Sequence, residues 1–227
     1  MFADGAVESA NVVGYSTTTT IGDGGFTQIV PSFVNVADNS KIKLSDLTFA
    51  PARNDNIQLF DEIGDIMEVL TYSRRGTSGN YTFYWKNEAG DEVADYDFPR
   101  GSSMWLNTSN PVAFTQSGTV VSGKTVVIIP GDGGFAQTGN STPIAITLSQ
   151  LEFDGISRND NIQMFDENGN IKEVLTYSRR GTSGNYTFYW KNEAGDEVDP
   201  ATYTFQPGEE FWVNFSNPGT MTLPSAL

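Results

Sequence analysis

Glu68 to Val93 reads EVLTYSRRGTSGNYTFYWKNEAGDEV, and Glu173 to Val198 repeats those twenty-six residues without a change. Looser echoes flank the repeat: Arg53-Asn-Asp-Asn-Ile-Gln returns at Arg158, an offset of 105, and Gly22-Asp-Gly-Gly-Phe returns at Gly131, an offset of 109. A period near one hundred is too long for a solenoid unit that borrows its core from its neighbours, and it fits two small domains in series. The expected division is an N-terminal joining strand over 1–21, a first β module over 22–118, an inter-module joining strand over 119–130 and a second module over 131–227.

Apolar runs along the chain are four to eight residues long, alternate, favour β-branched and aromatic types, and end at Gly, Asn, Asp or Pro. They predict strands, among them Thr27–Val36, Asn56–Phe60, Ile66–Ser73, Tyr81–Lys86, Glu92–Phe98, Met104–Asn107, Lys124–Ile129, Ile144–Phe153 and Phe211–Phe215. No stretch keeps a 3.6-residue apolar period for three turns, so helix is confined to about one turn at Leu44–Leu47 and Leu148–Leu151. The fold class is therefore all-β: two tandem homologous antiparallel β-sandwich modules, with a small barrel as the alternative for each. Ile57, Leu59, Phe83 and Trp85 are expected to fill the same core sites as Ile162, Met164, Phe188 and Trp190.

Thirteen Lys and Arg stand against twenty-eight Asp and Glu, a net charge of −15 that repels nucleic acid and anionic lipid headgroups. No run of about 18 apolar residues occurs, so no membrane insertion is expected. The chain has neither Cys nor His, which removes the thiolate metal site, the disulfide framework and the commonest general base. No catalytic residue and no cofactor are expected. Asp61, Glu62 and Asp65, Asp166, Glu167, Asn168 and Asn170, and Asp91-Glu92 with Asp196-Glu197 offer oxygen ligands in loops, but without the spacing of a calcium loop, so structural calcium is the minor reading and solvated hairpin loops the main one. The two GDGGF segments precede strand residues rather than a helix, and are read as turns that use Gly for positive φ.

Ser73–Asn80 and Ser178–Asn185 read as Gly-rich loops that carry Arg74 and Arg75, and Arg179 and Arg180, out of an acidic body. They meet carboxylates of their own module or of a neighbouring copy. Trp105 alternates with Met104 and Leu106, and Trp212 with Phe211 and Val213, so both tryptophans face away from the larger apolar set. Packing between modules, ordinary burial and a sugar-stacking platform with Tyr84 and Tyr189 are the three readings.

Alignment on the GDGGF turns lays Asn11-Val12-Val13-Gly14-Tyr15 through Ile21 over the joining segment Val120–Pro130. The second module ends at Leu227 before any counterpart of that segment. Head-to-tail strand addition follows: Asn11, Val12, Val13, Gly14, Tyr15, Thr17 and Thr19 of one copy complete the C-terminal module of the next beside Met221 and Leu223, with copies of the chain itself as partner.

Asn11-Val-Val-Gly-Tyr15, Pro207-Gly-Glu-Glu-Phe-Trp-Val213 and Asn217-Pro-Gly-Thr-Met-Thr-Leu223 resemble a group of uncharacterised secreted tandem β-module proteins of environmental Gram-negative bacteria, which share an N-[IV]-V-G-Y opening and a P-G-x-x-F-W-V closing strand. The resemblance implies an extracellular or cell-surface location and a non-catalytic role, and brings no activity with it. The first module departs from the closing pattern, with Pro99-Arg-Gly-Ser-Ser-Met-Trp-Leu106. The opening MFADGAVESA has no basic, hydrophobic leader and reads as a start downstream of a removed signal. The expected function is a structural subunit of an extracellular filament or surface layer, with a carbohydrate-binding or adhesive module as the alternative.

Overall fold

A computed structural model describes residues 13–34, 41–61, 63–120, 123–166 and 168–226. The chain is all-β, 54% strand and 3% helix. Its N-terminal half holds β1 (Val13–Thr19), β2 (Phe26–Ile29), β3 (Phe33–Val34), β4 (Lys41–Lys43), β5 (Leu47–Thr48), β6 (Asn56–Phe60), β7 (Ile66–Thr77), β8 (Asn80–Lys86), β9 (Glu92–Val93), β10 (Asp97–Pro99), β11 (Met104–Asn107) and β12 (Ala113–Val120). Its C-terminal half holds β13 (Thr125–Ile129), β14 (Phe135–Gly139), β15 (Ile146–Thr147), β16 (Glu152–Asp154), β17 (Asn161–Phe165), β18 (Ile171–Thr182), β19 (Asn185–Lys191), β20 (Glu197–Val198), β21 (Thr204–Phe205), β22 (Glu210–Asn214) and β23 (Gly219–Leu223).

Each half has an antiparallel six-stranded sheet, β2-β11-β6-β7-β8-β9 in one and β14-β22-β17-β18-β19-β20 in the other. Smaller sheets accompany each: β1-β12-β3 with β5 beside β12, and β10-β4, in the first half; β13-β23-β16, and β15-β21, in the second. The apolar core is likewise divided. One cluster gathers Ile57, Leu59, Leu70, Met104, Leu106 and Phe114, the other Ile162, Met164, Leu175, Phe211, Val213 and Phe215, each drawn from a single half. Single 3-10 turns stand at Leu44–Asp46 and Leu148–Gln150, where the sequence places its two short helical turns.

Several expectations change in the structure. The strand expected over Thr27–Val36 breaks at Pro31 into β2 and β3, since proline cannot donate to a ladder. Val120 closes β12 instead of opening a joining strand, and β13 begins at Thr125. The strand residues expected after the second GDGGF turn form β14, whose Phe-Ala-Gln-Thr-Gly has weak strand propensity and is held by its pairing with β22. Ser73–Asn80 and Ser178–Asn185 are not loops: β7 and β8 run straight through to a two-residue turn, with Thr77 opposite Asn80. Gly76 belongs inside that strand, at φ 108°, because a Cβ there would lie 2.2 Å from the Asn80 carbonyl oxygen. Phe83 and Phe188 are 48% exposed and do not join the cores, whereas Ile57, Leu59, Ile162, Met164 and Trp190 are buried and Trp85 packs against its cluster from the rim.

The GDGGF segments are turns. Gly22, Asp23 and Gly24 all have positive φ, as do Gly131, Asp132 and Gly133, and a Cβ on Gly22 or Gly131 would strike the backbone nitrogen of Pro111 or Pro218. The echo at Arg53 and Arg158 has a different use. Asp55, 1% exposed, accepts hydrogen bonds from the Ser109 amide at 2.8 Å, the Ser109 hydroxyl at 2.7 Å and the Ala52 amide at 2.7 Å. Asp160 does the same with Ser216 and the Ser157 amide. Each carboxylate thereby ties the turn before β6 or β17 to the turn after β11 or β22. We expect Asp55→Ala and Asp160→Ala each to lower stability by roughly 2 kcal/mol in urea denaturation, since each removes three charge-assisted hydrogen bonds held by a buried carboxylate; a loss under about 1 kcal/mol would show that the ties are dispensable.

Candidate functional site

Along β11 and β22 the alternation sends Met104, Leu106, Phe211 and Val213 into the cores and Trp105 and Trp212 out the other side. The outward tryptophans are nonetheless only 6% and 7% exposed, because the halves meet there. Their rings lie 6.1 Å apart, centroid to centroid, with Phe60 at 4.8 Å and Phe26 at 5.3 Å from Trp105, and Phe165 at 4.8 Å and Phe135 at 5.6 Å from Trp212. The contacts reciprocate. Gln28 donates to the Asp166 carbonyl at 3.0 Å and Gln137 to the Asp61 carbonyl at 3.3 Å, while Gly64 backs onto Trp212 and Gly169 onto Trp105. Equivalent residues exchanging equivalent contacts define an approximate two-fold axis through the seam.

The repeats differ where they face each other across the seam. Val30 is buried against Gly139, its own counterpart, and a Cβ there would come within 2.6 Å of the valine methyl. Glu210 occupies the place that Ser103 holds in the first half. Its Oε1 accepts both indole N–H groups, from Trp105 at 2.8 Å and Trp212 at 2.6 Å. Burial raises its carboxyl to about 7, against the lowering effect of the two indoles and of the nearby Ser103 hydroxyl. Ser103 Oγ and Glu210 Oε2 fall short of a direct hydrogen bond and are the unsatisfied polar atoms of this site.

The second feature is the pair of identical hairpins. In β7–β8 the face that carries Leu70 into the core continues outward as Tyr72, Arg74, Tyr81 and Phe83. Tyr72 and Phe83 stack 5.5 Å apart at 8°, and the Arg74 guanidinium lies 4.1 Å from the Tyr81 centroid. On the opposite face Arg75 lies 4.9 Å from the Tyr84 ring and pairs with Glu92. The second hairpin repeats this: Tyr177 on Phe188, Arg179 on Tyr186, Arg180 on Tyr189 and on Glu197. Trp105 and Trp212 thus pack between the halves, while Tyr84 and Tyr189 stay half-exposed beneath their arginines. The sequence missed the stacked Tyr72–Phe83 and Tyr177–Phe188 pairs, because alternation alone assigns Phe83 and Phe188 to the core.

Asn11 and Val12 lie outside the described residues. Val13 to Thr19 pair with Thr119 to Ala113 of the same chain, with Gly14 seated on Phe33, Tyr15 79% exposed, and Thr17 Oγ1 3.0 Å from Thr115 Oγ1. β13 takes the equivalent place beside β23, and β16 flanks β23 on its other side. The acceptor edge expected at Met221 and Leu223 is therefore filled, and both side chains are fully buried. Thr125–Ile129 completes the half that it precedes, which by equivalence gives β1 to β12.

Among the described residues no three acidic side chains gather as a metal site. Asp61 and Asp166 instead accept amides of their own turns, from Ile63 and Asp65 and from Asn168 and Asn170. Grooves of about 450 and 430 Å³ flank the seam; Met67 lines the first and its counterpart Lys172 the second. No protein-family model, curated protein or solved structure matches the chain.

Glu210 gives the seam a pH dependence of definite sign. Its carboxyl is raised from 4.5 to about 7, so folding takes up a proton between those values; the stabilisation is complete below the lower value and is lost as pH rises through the upper. Glu210→Gln keeps an oxygen for the two indoles and cannot ionise. We expect the variant to exceed the parent by roughly 2 kcal/mol at pH 8 and to match it near pH 5. Parallel melting profiles from pH 5 to pH 8 would show that Glu210 carries no such linkage.

Proposed function

We propose that the chain is a non-catalytic structural subunit of an extracellular filament or surface layer, built from two tandem homologous β-sandwich modules and joined to its neighbours by exchange of the N-terminal strand. The observation that carries the reading is the attachment of β1. It is an edge strand with one neighbour, β12, and its residues from Tyr15 to Thr19 are mostly exposed. A strand held on one side can leave its socket and enter the same socket of another copy, where every backbone pairing is reproduced at little cost. Passed on in one direction, from each copy to the next, the exchange yields an open fibre. The acceptor in this scheme is β12, since β13 occupies β23. β13 already performs the operation inside the chain: it leads out of the first half and completes the second.

Support also comes from chemistry. With no Cys or His, proton transfer would fall to carboxylates, lysines and tyrosines, and the buried Glu210 is committed to two indoles. The resemblance to secreted tandem β-module proteins supports the extracellular setting. A glycan-binding or adhesive role is the second reading; with Trp105 and Trp212 enclosed, it rests on Tyr84, Tyr189 and the exposed Phe83 and Phe188 of the stacked pairs.

The test uses the absence of cysteine. Thr17 and Thr115 are directly opposite on β1 and β12, so Thr17→Cys with Thr115→Cys places two thiols where an intramolecular disulfide locks β1 in its own socket. We expect the oxidised variant to stay free of strand-exchanged polymer in electron micrographs, and the reduced variant to form fibres as the parent does. Fibres that grow equally well from the locked chain would rule strand exchange out.

A further inference from the structure

We propose that the two identical hairpins are a second self-association surface, on which the cationic, aromatic tip of one copy docks against the acidic turn at the far end of the same hairpin in another copy. The inference rests on the reading of the chain as a self-assembling subunit, but uses neither β1 nor its socket.

The repeated segment is polar along its length. Toward the turn between β7 and β8, Arg74 stands opposite Phe83 and Arg75 opposite Thr82, with Tyr81 opposite Gly76 nearer the turn. At the other end of β8, about 20 Å away for seven extended residues, the turn from Asn87 to Asp91 carries Glu88 and Asp91, both exposed. Arg75 is paired with Glu92 of the neighbouring β9. Among the described residues Arg74 and Arg179 form no ion pair, and their guanidinium groups rest only on the rings of Tyr81 and Tyr186. Two hairpins laid antiparallel would bring the Arg74 of each against Glu88 and Asp91 of the other, and would cover the half-exposed Phe83 rings between them. One surface thus supplies both signs of charge, as a self-complementary contact requires.

The pattern of repetition points to the same use. Outside this segment the halves have diverged even at buried and seam positions: Leu59 against Met164, Ser103 against Glu210, Val30 against Gly139. Inside it, exposed residues are as identical as buried ones. A requirement for packing would hold Leu70 and Trp85; it would leave Arg74, Tyr81, Phe83, Glu88 and Asp91 free to drift. A chain of net charge −15 repels its copies in general, which makes local cationic tips the places where copies can meet. With one such surface in each half, every subunit has two equivalent contacts, enough to link neighbouring chains or fibres side by side.

The experiment uses the oxidised Thr17→Cys/Thr115→Cys chain, in which strand exchange is blocked, and follows sedimentation velocity at low and high salt. We expect concentration-dependent association that weakens with salt, and about tenfold weaker association after Arg74→Glu with Arg179→Glu. Mixing that variant with a locked chain carrying Glu88→Arg, Asp91→Arg, Glu193→Arg and Asp196→Arg should restore association between the two, because the charges are exchanged. All substitutions are at exposed positions, and unchanged melting temperatures confirm the folded state of each chain. A locked chain that stays monomeric overturns the hairpin contact while leaving strand exchange standing. Association indifferent to the arginine reversals, or no recovery in the mixture, also overturns it. So does an aromatic face that instead retains a neutral polysaccharide in a manner lost with Phe83→Ala and Phe188→Ala.

Discussion

One carboxyl shared by two indoles decides how the halves of this chain meet. Trp105 and Trp212 turn their backs on their own cores, and without a partner each would expose a large ring on an open sheet face. Glu210 accepts both N–H groups with one oxygen, so the polar tip of each ring is satisfied and the phenylalanines around them can close over an apolar seam. Burial makes the arrangement costly for an ionised group, and that cost is what raises its carboxyl to about 7. The seam is therefore strongest where Glu210 is protonated.

The seam also explains why a duplicated sequence could not stay duplicated everywhere. Residues on or near a two-fold axis face their own counterparts, and two glutamates or two valines at one point would repel or collide. Ser103 opposite Glu210 and Gly139 opposite Val30 resolve both conflicts by making each counterpart small. Away from the axis, as in the hairpins on the far side of each six-stranded sheet, no such conflict forces the two copies apart.

Much of this architecture was legible in the chain. Alternation and turn chemistry located β6, β11 and both 3-10 turns, and the tryptophan alternation pointed to packing between units as one of its readings. What the sequence could not convey were effects of distance. A strand that outruns the core it borders, as β8 does, keeps the core alternation at Phe83 after the core has ended. Gly76 and Gly181 look like loop residues until the carbonyls across the hairpin are seen to need their missing Cβ. Glu210 reads as one more acid in an acidic chain, because its burial depends on Trp105, more than one hundred residues away. The pairing of β1 within its own half was hidden for a related reason: aligning it with β13 identified the equivalence, but only the sheet order tells which neighbour that equivalence selects.

The account depends most on Glu210 binding both tryptophans at once, and nuclear magnetic resonance of the indole N–H groups observes that directly. With ¹⁵N-labelled protein, the Trp105 and Trp212 signals should resist exchange with water and shift together through a single transition near pH 7, and the shift should vanish in Glu210→Gln. Indole signals that titrate independently, or that exchange as freely as those of exposed tryptophans, would contradict it.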